Sequence, residues 1–125
     1  MSSAEGPGDP RRTHAAARIR TTGPARHELP LIDERGLIAA RAMDAILAVA
    51  EAHGQARWVA FMAPLPDRFR DGDPRDLRAA ATRARAAFGP KDSIRDALPP
   101  EVTEPLLDAI DRLIRELNRY DRSLR

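Results

Sequence analysis

The chain contains no cysteine, which removes disulfide frameworks, thiolate metal sites and cysteine nucleophiles together. Aromatic residues are scarce: Trp58, Tyr120, Phe61, Phe69 and Phe88 are all there are, so a core must be built from aliphatic side chains and alanine. Serine occurs only at Ser2, Ser3, Ser93 and Ser123, with no Gly-x-Ser-x-Gly around any of them. The three histidines, His14, His27 and His53, lie far apart, and none has a metal-binding partner one helical turn away. No apolar run approaches bilayer length, and the first residues lack a signal-type apolar segment. The glycines of GPGDP, Gly6 to Pro10, are not followed by the Lys-Ser/Thr of a phosphate loop. The acidic run Asp67, Asp71, Asp73 and Asp76 fails as a calcium loop, because a loop opened by Asp71 would close on Thr82 instead of glutamate. The expectation is therefore a protein without metal or cofactor, leaning away from catalysis.

Charge is plentiful but nearly balanced, with 32% charged residues and a net charge of +2. Residues 1–28 hold Arg11, Arg12, Arg18, Arg20 and Arg26 against Glu5, Asp9 and Glu28, so the whole excess sits there and the rest of the chain is neutral. Met1 and Ile19 are the only sizeable apolar side chains in that stretch, too few to offset the chain entropy of ordering it. The reading is a disordered basic tail over 1–28 and one domain over 29–125.

That domain reads as all-α: a small helical bundle of three main helices plus one or two short ones. The first helix lies in IDERGLIAARAMDAILAVAEAHG, with Asp33 as expected N-cap. Its apolar stripe is Ala39, Ala42, Met43, Ile46, Val49 and Ala50, and His53-Gly54 is the stop signal. The stretch WVAFMAPLP, Trp58 to Pro66, suits a strand by composition, but no second strand is present to pair with it. Read as a short helix, it puts Trp58, Phe61 and Met62 on one face, mainly core with Trp58 partly exposed, and stops at Pro64 and Pro66. Asp67 to Gly72 is expected to be a polar connector. DPRDLRAAATRARAAFGP is the second long helix, with Asp73 as N-cap, Pro74 at the first position and a stripe of Leu77, Ala80, Ala81, Ala84 and Phe88. A short turn capped by Ser93 follows. The last helix, from Thr103 or Glu104, carries Leu106, Ile110, Leu113, Leu117 and Tyr120 at alternating spacings of four and three.

Three functional readings follow. The first is a non-catalytic interaction or adaptor module that docks on another protein or on itself, as a homodimer through the C-terminal helix. Its interface residues would be Trp58, Phe61, Met62, Leu106, Ile110, Leu113, Leu117 and Tyr120. The second is a nucleic-acid-binding regulator using Arg75, Arg78 and Arg85 on one helix with Arg11, Arg12, Arg18 and Arg20 of the tail. The third is a small helical enzyme, for which no catalytic residue can be assigned. The expected location is a reducing cytoplasm, with no membrane partner.

Overall fold

A computed structural model describes residues 24–125. Within them the fold is all-α, with no strand. A single 3-10 turn, Arg26–Glu28, leads into α1 (Pro30–Ala52), α2 (Ala56–Met62), α3 (Leu65–Asp71), α4 (Pro74–Ala86), α5 (Ile94–Ala97) and α6 (Pro100–Ser123). Helix α1 is the hub: it packs along α6, across α3 and against α2, while α4 closes the bundle against α6 and α3.

The stripes meet as helical periodicity requires. Met43 and Ile46 of α1 and Leu106, Ile110, Leu113 and Leu117 of α6 have at most 1% exposure and form the centre. Ala39, Ala40 and Ala50 on α1 and Ala80, Ala81 and Ala84 on α4 are also buried. Their small side chains let the long helices approach without large fillers, which is how a core with so few aromatics is closed.

Local signals account for most boundaries. Helix α1 ends in a Schellman arrangement: Gly54 adopts φ +65°, its N–H donates to Glu51 O at 3.1 Å, and the Gln55 N–H donates to Ala50 O at 2.9 Å. At the start of α4, Asp73 accepts from the Asp76 N–H at 2.8 Å, and Pro74 occupies the first turn where its missing N–H is harmless. The Ser93 Oγ accepts from the Arg95 N–H at 3.1 Å and opens α5.

Four expectations change. Helix α1 starts at Pro30, three residues before Asp33; its N-cap Leu29 makes no side-chain cap bond, and the Asp33 carboxylate instead meets Arg26 at 2.9 Å. The expected connector over Asp67 to Gly72 is helical as far as Asp71, with Gly72 as its extended C-cap. Pro64 and Pro66 do not simply end α2: Pro64 is the N-cap of α3 and Pro66 lies in its first turn, so the two prolines mark a restart. Phe69 within that helix is fully buried. Helix α6 starts at Pro100, on the same logic of a proline in the first turn, and continues through Pro105. Finally, residues 24–28 belong to the folded body, because Arg26 is docked into it, as described below. Arg11, Arg12, Arg18 and Arg20 lie outside the described residues.

Candidate functional site

Two features organise the surface of the bundle: an arginine buried against a helix end, and a groove between α4 and α6.

Arg26 has a side chain only 11% exposed. Its Nε donates to Asp33 Oδ1 at 2.9 Å and Nη2 to the Asp33 carbonyl at 3.2 Å. Nη1 donates to the carbonyls of Phe69 at 3.0 Å and Gly72 at 2.9 Å. The guanidinium thus caps the C-terminal end of α3, where unpaired carbonyls and the helix dipole both favour a cation. A Cβ on Gly36 would come within 2.6 Å of Arg26 Nη2 and 2.8 Å of the Phe69 carbonyl. The glycine in the first half of α1, a weak point by propensity alone, is what admits the guanidinium. The arrangement is a structural clasp joining the entry segment, α1 and α3.

The groove has a volume of about 930 Å³. One wall is the end of α6, with Leu117, Tyr120, Asp121 and Leu124; the other is Phe61 of α2. Its floor is α4, which presents Arg75, Arg78, Ala79, Thr82, Arg83 and Ala86 at intervals of three and four residues. Ala79, Thr82 and Ala86 are exposed, and it is their shortness beside bulkier neighbours that leaves the depression. Arg83 lies over the Phe61 ring, its guanidinium carbon 4.4 Å from the ring centre. Leu124 is 67% exposed at the opposite lip. On the other side of Phe61 a shallower depression is lined in part by Arg57, Trp58, Lys91 and Asp92.

The structure separates the residues expected at an interface. Leu106, Ile110, Leu113 and Leu117 are buried within the single chain, so the α6 seam is spent on the chain's own core. Met62 is 1% and Trp58 6% exposed, so Trp58 is more deeply placed than its sequence context implied. Trp58 stacks edge-on with Phe61 at 5.8 Å, and Phe61 and Tyr120 are the two that stay half-exposed. Both line the groove, as does Leu117 from below. Leu124 belongs with them and was missed; its position four residues after Tyr120 on the same helix face was the available signal.

The arginine stripe is divided in the same way. Arg78 pairs with Asp121 at 2.7 Å and Arg85 with Asp111 at 3.1 Å, both tying α4 to α6. Arg75 is exposed and, among the described residues, makes no ion pair. Two of three candidate phosphate contacts are therefore matched by carboxylates on the same face.

Near the far end of α6, Arg95 of α5 grips Glu104 in two-pronged fashion, Nε to Oε2 at 2.9 Å and Nη2 to Oε1 at 2.6 Å, and Thr103 Oγ1 donates to Oε2 at 2.9 Å. The Arg95 guanidinium, helped by Thr103, holds the Glu104 carboxyl well below the usual range, at about 2.

Among the described residues no cluster of His, Cys, Asp and Glu is arranged to hold a metal ion, and no helix is long and apolar enough to cross a membrane. Comparison with protein-family models, with curated proteins and with solved structures finds no match for this chain.

Proposed function

We propose that the chain is a non-catalytic helical interaction module, working in a reducing cytoplasm by docking against another protein or a second copy of itself. The observation that carries the reading is the placement of its few large aromatics. Of five in the whole sequence, Trp58, Phe69 and Phe88 are buried in the core, while Phe61 and Tyr120 stand half-exposed on facing sides of one groove, with Leu124 beside them. An aromatic-lipped groove of this kind suits a docking surface, where Tyr and Phe anchors supply contact area at low entropic cost. Homodimerisation, if used, runs through this end of α6 rather than through the buried Leu106-to-Leu117 seam.

The test is native mass measurement of the particle, purified alone and recovered from host extract. It is run on the wild type and on a Phe61→Ser, Leu124→Asp double variant whose melting curve stays cooperative. A heavier particle that reverts to the single chain in the variant supports the reading. A single chain throughout, or a heavier particle indifferent to the substitutions, refutes it.

A further inference from the structure

The chemistry of the groove specifies what it takes up. Its floor is short and apolar, Ala79 and Ala86 with Thr82 between them, over a stretch of about two helical turns. Among the described residues there is no strand, hence no sheet edge to which an extended peptide could add. A trough between two helices, floored by alanines and lipped by Phe61, Tyr120 and Leu124, fits the ridge of a third helix.

Charge then sets the sign of that helix. Arg83 leans over Phe61 on one rim and Arg75 stands at the mouth, both exposed and without an acidic partner among the described residues. The one carboxylate lining the groove among the described residues, Asp121, is already engaged by Arg78 at 2.7 Å. Past Phe61 the cationic character continues with Arg57 and Lys91, beside the carboxylate of Asp92. A docking segment meets uncompensated positive charge on the α2 side and a neutralised pair on the α6 side.

We infer that the groove binds an amphipathic helix of another protein that carries aliphatic residues along one stripe and Asp or Glu on the flank facing Arg75 and Arg83. This inference rests on the docking reading above and names its partner class. A nucleic acid is disfavoured on the same face: Asp111 and Asp121 of α6 lie beside the α4 arginines that would have to meet phosphates, and they already occupy Arg85 and Arg78.

A displayed random library of peptides roughly four helical turns long, selected against the full chain, tests it. Enriched sequences are expected to pair aliphatic residues at i, i+3, i+4 and i+7 with acidic flanks. Two variants with wild-type melting behaviour locate and sign the contact. Ala79→Trp, which fills the trough, is expected to weaken the selected peptides on the order of tenfold or more; Arg75→Glu with Arg83→Glu is expected to do the same and to accept acid-to-lysine versions instead. Aliphatic helices that bind the trough without acidic preference overturn this inference and leave the docking reading standing. Peptides indifferent to Ala79→Trp, or no enrichment at all, overturn both. Two further results overturn the inference. One is tighter binding of a single-stranded thymidine oligonucleotide that Ala79→Trp abolishes. The other is a self-associated particle that Ala79→Trp dissociates, which makes a second copy the occupant.

Discussion

At Arg26 and Gly36 two ordinary preferences oppose each other, and the outcome has a definite sign. Alanine is favoured over glycine inside a helix by about 1 kcal/mol, so Gly36→Ala should stabilise α1 on propensity alone. The added Cβ would meet Arg26 Nη2 at 2.6 Å and the Phe69 carbonyl at 2.8 Å, and the latter belongs to the backbone of a packed helix that cannot swing aside. Overpacking of this kind costs about 1–3 kcal/mol, so the net effect is destabilising. Arg26→Ala removes four hydrogen bonds from a largely buried guanidinium and leaves the Phe69 and Gly72 carbonyls without their cap. It should cost about 2 kcal/mol, whereas Arg112→Ala, which breaks the exposed Arg112–Asp108 pair, should cost less than about 0.5 kcal/mol. Urea denaturation of the three variants checks the ordering. Equal losses for Arg26→Ala and Arg112→Ala would show that the clasp is not a stabilising contact.

Individual helices were legible in proportion to how local their signals are. Helix α4 was readable nearly whole, because Asp73, Pro74 and the stripe of Leu77, Ala80, Ala81 and Ala84 are all local in sequence. The end of α1 was legible for the same reason: Gly54 follows His53 and takes the left-handed conformation. With nothing within 4 Å of its Cβ position, Gly54→Ala isolates the backbone cost, expected at about 1 kcal/mol and measurable by thermal melting. Helix α3 was hidden because prolines are ambiguous punctuation, ending one helix or opening the next, and only the packing of Phe69 against the bundle decides. The entry of α1 was hidden because its stabilising partner, the α3 terminus, lies far along the chain. The link between α5 and α6 carries its own prediction. Glu104 titrates at about 2 in the folded chain, below the ordinary carboxylate value of about 4.3 expected when unfolded. A depressed carboxylate adds stability above its unfolded value and loses it as pH falls through the folded one. The stability advantage of wild type over Glu104→Gln should therefore be full at neutral pH, shrink below about pH 4.3 and vanish near pH 2. A difference that stays constant across that window would mean Arg95 does not grip Glu104 in solution.

For the molecule as a whole, the question the sequence left open was which apolar stripe is inside. Two stripes were visible, α6 from Leu106 to Tyr120 and the group Trp58, Phe61 and Met62, and periodicity cannot assign either to a core or to a partner. Packing assigns by volume: a bundle with buried alanines on α1 and α4 needs the leucines and isoleucines of α6 to fill it, and Trp58 and Met62 go in as well. What remains outside is the remnant of each stripe, Phe61 from one and Tyr120 from the other, and they meet at the groove because α2 and the end of α6 flank α4. The assignment predicts the fate of Leu113→Asp combined with Leu117→Asp. Were these side chains an interface, the variant would be a folded single chain. Both are at most 1% exposed among apolar neighbours, so each aspartate would be a buried charge without a partner. Such a charge costs several kcal/mol, and two of them are comparable with the roughly 5–15 kcal/mol that holds a domain of this size together. The double variant should lose its cooperative melting transition and most of its helical circular dichroism. Leu124→Asp, at the lip, should retain both. A double variant that still melts cooperatively as a single chain would return α6 to the surface and dismantle the core described here.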